Sequence, residues 1–164
     1  MATTGELVTQ VTETIKLSNG NTITSINNNT ISGVNQVVRG VDTISSTFSG
    51  TGIEIIKFVD SESEQTAGSF VKDTVKYIRI TNLDSTNFVN LYLIDTDTEG
   101  VMFKLDPGKT FMLSNGKFDA TTTTDIAVPG YVDMAYFSNL VNYDTIKAKA
   151  NTADVSIEYF VAST

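Results

Sequence analysis

The sequence predicts an all-β fold, a jelly-roll-like or Greek-key β-sandwich preceded by an extended N-terminal arm. Thr, Ser, Asn, Val and Ile are abundant and Pro is scarce, a composition typical of strands and turns. Short segments that alternate apolar and polar residues recur between turn signals at sandwich-like spacing. With 164 residues the chain has the length of one domain. We expect the arm to occupy residues 1–50 and the sandwich residues 51–164.

The clearest strand pattern lies between Val75 and Leu113. It contains four alternating segments separated by three polar turns, the last of which is Asp106-Pro107-Gly108. Proline presets the backbone of such a turn, and glycine permits a positive φ. Because each segment follows the previous one after a short loop, we expect a four-stranded antiparallel meander.

Further strands are predicted on both sides of this central region. Gly52–Val59 carries apolar residues on both faces, which indicates a strand buried between layers. Two alternating segments near the C-terminus, 144–150 and 155–161, predict a final hairpin. The intervening segment 115–133 is long and irregular, and a brief apolar segment, 134–137, follows it.

The N-terminal arm also predicts a hairpin. Leu7, Val11, Ile15 and Leu17 share one face of a period-2 pattern, and the threonines between them favour a strand over a helix. Asn19-Gly20 suits a type I′ turn, so residues 22–26 form the expected returning strand, which we expect to end at 27–29. The following apolar residues have mixed spacing and predict only an extended or partly helical crossing segment.

A two-stranded hairpin is only marginally stable alone in water. We therefore expect the arm either to dock on its own sandwich or to pair with a neighbouring subunit. The candidate interface residues are the apolar residues of the arm, namely Leu7, Val11, Ile15, Leu17, Ile23, Ile31, Val34 and Val38.

The composition argues against several classes of function. The chain contains no cysteine and no histidine, which excludes disulfides and thiolate metal sites and removes the usual general base. Its formal net charge of −8 disfavours nucleic acid and anionic membranes as partners. No apolar run approaches the ~20 residues that span a bilayer, and the N-terminus does not resemble a signal peptide. We expect a soluble protein that is not an enzyme and has no cofactor.

Two motifs resemble known ligand-binding loops. Gly108-Lys109-Thr110 matches the end of a phosphate-binding loop, but the first glycine of that motif is missing and strands flank it, so we interpret it as a turn. Asp95, Asp97, Glu99 and Asp106 occupy calcium-loop positions, with Gly100 at the sixth. These four carboxylates are a weak metal candidate, because strands rather than helices flank the loop. We favour a solvated acidic hairpin.

Three segments carry a resemblance to a known group of proteins. They are YIRITNLDSTNFVNLYL, FKLDPGKTFML and IKAKANTADVSIEYFVA, which follow the Thr/Asn/Ser-rich arm. In this layout the chain resembles small virion structural proteins of tailed bacteriophages, particularly those of marine and cyanobacterial phages, and looks like a capsid decoration, or cement, protein. The resemblance implies synthesis in the host cytoplasm and a place on the capsid surface of the virion. It also implies binding across junctions of the major capsid protein, or to other virion proteins, as a homo-oligomer such as a trimer or dimer.

Two alternatives stay open at this point. Within the same class, the chain could be a neck, tail or baseplate component. From another class, a carbohydrate-binding β-sandwich module would use some of the six tyrosines as a sugar platform. That alternative predicts an exposed row of aromatic side chains.

Overall fold

The computed structural model describes residues 5–95, 100–114 and 143–164, and these residues form an all-β sandwich with a projecting hairpin. The strands are β1 Gly5–Lys16, β2 Thr22–Val34, β3 Gln36–Ile44, β4 Ile53–Val59, β5 Ser69–Val71, β6 Val75–Asn82, β7 Val89–Asp95, β8 Gly100–Leu105, β9 Thr110–Ser114, β10 Tyr143–Ala150 and β11 Val155–Ser163. Two short 3-10 turns, Glu62–Glu64 and Lys72–Thr74, flank β5. Within the described part of the chain, no helix has the length and apolar character needed to cross a membrane.

Two sheets face each other across the core. The four-stranded sheet has the order β3-β11-β6-β9, and the five-stranded sheet has the order β5-β4-β10-β7-β8. Neighbouring strands are antiparallel except β4 and β5, which are parallel. Alternate residues of both sheets point inward, and Ile44, Ile78, Leu91, Ile146 and Ile157 are all fully buried there. This single apolar cluster is the main stabilising element of the sandwich.

The strand positions in the central region were predicted correctly, but the predicted meander was wrong. β6 pairs with β9 and β11, whereas β7 pairs with β8 and β10. Only β7 and β8 form a hairpin; the connections from β6 to β7 and from β8 to β9 cross between sheets. The predicted hairpin of β10 and β11 is wrong for the same reason, since these strands lie in different sheets. A short polar loop suits a hairpin and a sheet-to-sheet arch equally well, so the sequence pattern did not separate them.

A buried asparagine holds one of these arches. Asn82 is fully buried, and its Nδ2 donates to the backbone oxygens of Asn87, at 2.9 Å, and Leu105, at 3.1 Å. Its Oδ1 accepts the backbone N–H of Asp84 at 2.9 Å. Backbone N–H groups of Asn87 and Thr86 donate to the carboxylate of Asp84, which lowers the pKa of that carboxyl. These bonds fix the arch from β6 to β7.

The N-terminal region is divided differently from the prediction. The predicted hairpin is confirmed as β1 and β2, but β2 continues through Asn27–Asn29 to Val34 instead of ending there. β3 then forms nine pairs along β11, and its last residue, Ile44, lies in the core. The sandwich therefore begins at β3, earlier than the predicted residue 51. The predicted irregular connection 115–133 and the apolar segment 134–137 lie outside the described residues.

Candidate assembly surface

The hairpin of β1 and β2 projects as a two-stranded ribbon. Twelve successive pairs join the strands, which corresponds to about 40 Å of extended chain. The turn is closed by hydrogen bonds from the N–H of Leu17 to the oxygen of Asn21 (2.8 Å) and from the N–H of Gly20 to the oxygen of Leu17 (3.0 Å). Gly20 has φ +86°, the positive value for which glycine is suited. Within the described part of the chain, neither strand pairs with any strand of the sandwich.

The register divides the hairpin into two faces with different chemistry. Directly paired residues lie on the same face, and successive residues alternate. The near face, whose base packs on the four-stranded sheet through Leu7 and Ile31, carries Leu7, Thr9, Val11, Glu13, Ile15, Ile23, Ser25, Asn27, Asn29 and Ile31. The far face carries Glu6, Val8, Gln10, Thr12, Thr14, Lys16, Thr22, Thr24, Ile26, Asn28, Thr30 and Ser32.

The base of the near face docks on the sandwich. Leu7 and Ile31 are half-buried against a small cluster that contains Tyr77 and Phe160 on the outer side of the four-stranded sheet. The Tyr77 and Phe160 rings meet edge to face, with centroids 5.8 Å apart. Burial raises the pKa of the Tyr77 hydroxyl. This second, smaller core fixes the root of the hairpin.

Apart from Leu7, Ile31 and Val34, the large apolar side chains of the hairpin are exposed to solvent. Val8, Ile15, Ile23 and Ile26 are 54–61% exposed. Val11 and Leu17 are also exposed. Val8 and Ile26 lie on the far face, whereas Ile15 and Ile23 lie on the near face, so both faces of the hairpin expose large apolar side chains. Exposed apolar surface of this kind is typical of interaction sites, and the hairpin is therefore the candidate contact surface in the described part of the chain.

A groove of about 850 Å³ lies between the hairpin and the four-stranded sheet. The sheet side is formed by Tyr77, Arg79, Thr110, Met112, Ser114 and Phe160, and the hairpin side by residues 7–12 and 27–29. Arg79 is the one charged residue among the described residues that line it. This lining is therefore mixed polar and apolar, with one positive charge on the floor of the groove.

The floor belongs to a wider outer face of the four-stranded sheet. Its side chains alternate with the core residues, and they are Val37, Arg39, Val41, Thr43, Tyr77, Arg79, Thr81, Thr110, Met112, Ser114, Ser156, Glu158, Phe160 and Ala162. Val37, Val41 and Met112 are exposed. Two arginines and one glutamate are the charged members, so this face has a net charge of +1 on an acidic chain.

Those three charges form one cluster. Arg39 Nε donates to Glu158 Oε1 at 2.6 Å, and Arg79 Nη2 donates to Glu158 Oε2 at 2.6 Å. The Arg39 hydrogen bond is the main cause of the lowered pKa of the Glu158 carboxyl, and the nearby positive charges act in the same direction. The Arg79 guanidinium carbon also lies 5.9 Å from the centroid of the Phe160 ring. Among the described residues, two arginines thus share one carboxylate, and the cluster carries one net positive charge.

The eight predicted interface residues fall into three groups. Val11, Ile15, Leu17 and Ile23 are exposed toward the tip of the hairpin. Leu7, Ile31 and Val34 belong to the small cluster at its base, and Val38 packs against the main core from β3. The structure therefore brings the hairpin residues together on or beside one face and assigns Val38 to the sandwich.

The sequence analysis missed part of this surface. Val8 and Ile26 on the far face are more exposed than any of the predicted residues. Arg79, Phe160 and Met112 form part of the groove floor but come from three strands, β6, β11 and β9, that are distant in the chain. The alternation of Val8 with Leu7 was a signal for a two-faced apolar ribbon. Nothing in the local sequence indicates that β9 lies beside β6.

The candidate metal loop lies mostly outside the described residues. Asp97 and Glu99 are not described, nor is the side chain of Asp95. Asp106 forms an ion pair with Lys104 at 2.8 Å, and its backbone oxygen accepts the N–H of Lys109 in the turn before β9. Among the described residues, no group of three or more acidic side chains is placed to hold a metal ion.

The carbohydrate alternative predicts an exposed aromatic row, and the described residues do not form one. Tyr77 and Tyr143 are buried, and Tyr92 and Tyr159 are half-buried. Phe48 is exposed but lies apart from these strands in the chain.

The chain matches no family model, and the comparisons with curated proteins and with solved structures also find no match.

Proposed function

We propose that this chain is a non-enzymatic virion structural protein of a tailed bacteriophage, and specifically a capsid decoration protein that binds across junctions of the major capsid protein. The observation that supports this proposal is the projecting hairpin, whose distal apolar side chains are exposed and whose strands pair with no other strand among the described residues. Added strands bind through main-chain hydrogen bonds and need little side-chain chemistry. A protein that works in this way has no need of a reactive group.

The composition of the hairpin supports use of its edges. Exposed edge strands are normally protected from pairing by lysine, proline or bulges. Between residues 5 and 34 there is no proline, and the charged residues are Glu6, Glu13 and Lys16. The distal hairpin also keeps a regular register, since its one irregularity lies at Gly5 and Glu6. Such an unprotected edge suits a ribbon that is covered in an assembly.

The sandwich topology gives weaker support by analogy. β3 pairs with β11, β4 with β10, β6 with β9 and β7 with β8, which is a nested arrangement. We infer a jelly roll from this order, with β5 added beside β4. Jelly rolls occur in viral capsid proteins, but also in lectins and other domains, so this argument concerns fold rather than function.

Immunogold labelling of purified virions tests the proposal. Antibodies against the chain would be applied to tailed-phage particles from the source of the sequence. We expect label distributed over the capsid shell. Label confined to the neck, tail or baseplate would replace decoration with the alternative role, and unlabelled particles that lack the protein would refute a virion role.

Point variants then test the hairpin itself. We expect Val8→Lys and Ile26→Lys to abolish incorporation into particles, because each places a charge on an apolar surface that the shell would cover. Leu83→Lys is the matched control, since Leu83 is also an exposed apolar residue, at 51%, but lies in the loop after β6. Equal incorporation of all three variants would contradict the role of the hairpin.

A further inference from the structure

We propose that the hairpin tip of a second copy of this chain seats in the groove, with its near face on the four-stranded sheet and its Glu13 paired with Arg79. This inference deepens the proposed function and rests on its assignment of the hairpin as an assembly element. The partner of the near face is then a second copy of the chain.

The contact within one chain supplies the template for the contact between chains. The near face already packs on the outer face of the four-stranded sheet through Leu7 and Ile31, which contact the Tyr77 and Phe160 cluster. Farther along the same face, the hairpin repeats this apolar pairing with Ile15 opposite Ile23. The two surfaces are thus shown to be complementary in chemistry, and the distal pair has no cover in the described part of the chain.

The charges are also complementary. Glu13 is the one charged residue of the near face, and Arg79 is the one charged residue among the groove-lining residues that the structure describes. No ion pair is formed by Glu13 within the described residues. Arg79 shares Glu158 with Arg39, so a second carboxylate would balance the cluster. An ion pair at the rim of an apolar contact mainly determines which partner binds and in which register the two surfaces meet.

Within one chain, Glu13 of the hairpin does not supply this second carboxylate to Arg79. Among the described residues, Arg79 forms its ion pair with Glu158, and Glu13 lies beyond Thr12, the last residue of β1 that lines the groove. The hairpin side of the groove ends at Thr12 and Asn27. A chain therefore leaves its own tip outside its own groove, and the occupant we infer is the tip of a neighbour.

Such a contact joins two different surfaces, the near face of one copy and the groove of the next. Head-to-tail contacts of this kind close into a ring when the rotation between copies permits. A closed ring seats every hairpin tip and fills every groove.

Charge reversal in the purified chain tests the pairing without any shell. We expect the wild-type chain to be oligomeric by light scattering, Glu13→Arg and Arg79→Glu each to raise the dissociation constant at least tenfold, and the double variant to recover most of the loss. Glu6→Arg is the matched control, because it makes the same charge change on the far face. A monomeric wild-type chain, or equal effects of Glu13→Arg and Glu6→Arg, would overturn the inference.

A cross-link provides a second test that does not depend on charge reversal at Arg79. The natural chain has no cysteine, so Ile15→Cys combined with Met112→Cys introduces one defined pair. We expect disulfide-linked multimers on a non-reducing gel, and only monomers from each single variant under the same conditions. A double variant that stays monomeric would overturn the proposed seat. If that variant still decorated particles, the capsid role would stand and only the exchange between copies would fall.

Discussion

Two truncations test where the hairpin ends and the sandwich begins. Deletion of residues 2–32 removes the hairpin but keeps Val34 over the small cluster and keeps all of β3. Deletion of residues 2–50 also removes β3, which pairs with β11 over nine residues. The structure predicts that the shorter deletion leaves a stable sandwich and that the longer deletion damages it.

The difference between the truncations follows from burial. The shorter deletion loses Leu7 and Ile31, which are half-buried, so we expect a cost of about 1–2 kcal/mol from lost apolar contact. The longer deletion also loses Ile44, which is fully buried; removal of such a side chain costs about 2–5 kcal/mol by itself. It further loses Val38 and the hydrogen bonds of the β3 edge. We expect at least about 4 kcal/mol in total, a large fraction of the ~5–15 kcal/mol that a domain possesses.

Urea unfolding followed by circular dichroism measures both costs. We expect the shorter deletion to unfold cooperatively with a midpoint near that of the full chain, and the longer deletion to unfold at much lower urea or to be unfolded in buffer. Equal midpoints for the two truncations would refute the assignment of β3 to the sandwich. A shorter deletion as damaged as the longer one would show that the hairpin is an integral part of the core.

Three substitutions check other parts of the structure. Gly52→Ala should lower the free energy of unfolding, measured by thermal unfolding, by at least about 2 kcal/mol more than Gly68→Ala. Both glycines have φ +88°, but a Cβ at Gly52 would lie 2.0 Å from the backbone oxygen of Ala148, whereas nothing lies within 4 Å of a Cβ at Gly68. Equal costs for the two substitutions would contradict this contact. Glu158→Gln should reduce the loss of melting temperature as the pH falls into the acid range. The folded pKa of Glu158 is below its ordinary value of 4.5, so the ionised carboxylate stabilises the fold above pH 4.5, and this contribution disappears as the pH falls through the folded pKa. An unchanged dependence of melting temperature on pH would contradict this expectation. Asn82→Ala should lower the free energy of unfolding in urea by about 2–4 kcal/mol, because it leaves the backbone oxygens of Asn87 and Leu105 without their amide donor. A cost below ~1 kcal/mol would show that water replaces the amide.

The sequence predicts the strands well because burial imposes a period of two. In β6, Ile78 and Ile80 point into the core while Tyr77 and Arg79 point outward. The same alternation appears in β10 and β11, whose predicted and observed bounds differ by one or two residues. The all-β class and the hairpin of the arm follow from this local pattern together with turn residues such as Gly20.

The pairing of those strands was not predictable from the same pattern. An alternating strand shows one apolar face whether its neighbour in sequence lies beside it or across the core. The arch after β6 depends on the amide of Asn82, which reaches the backbone of Leu105 on β8. That contact joins residues far apart in the chain, so no local signal distinguishes this loop from a hairpin turn.

The candidate site shows the same division between local and distant information. Apolar alternation in the arm predicts Val11, Ile15 and Ile23 as contact residues, and the structure places them exposed on the hairpin; their role in contacts stays a prediction. The groove could not be found in this way, since Arg79 and Met112 become neighbours only when β6 pairs with β9. The local sequence therefore predicts the hairpin of β1 and β2 but not the groove floor on the four-stranded sheet.

The function of the hairpin varies along its length. At the base, Leu7 and Ile31 give the near face a partner within the chain, and this contact sets the direction in which the ribbon projects. Toward the tip, Ile15 and Ile23 continue the same face without a partner in the described residues. A free ribbon with this surface would be a poor monomer, because exposed apolar edges favour aggregation. The anchored base and the uncovered tip are both explained if the chain functions in contact with other subunits.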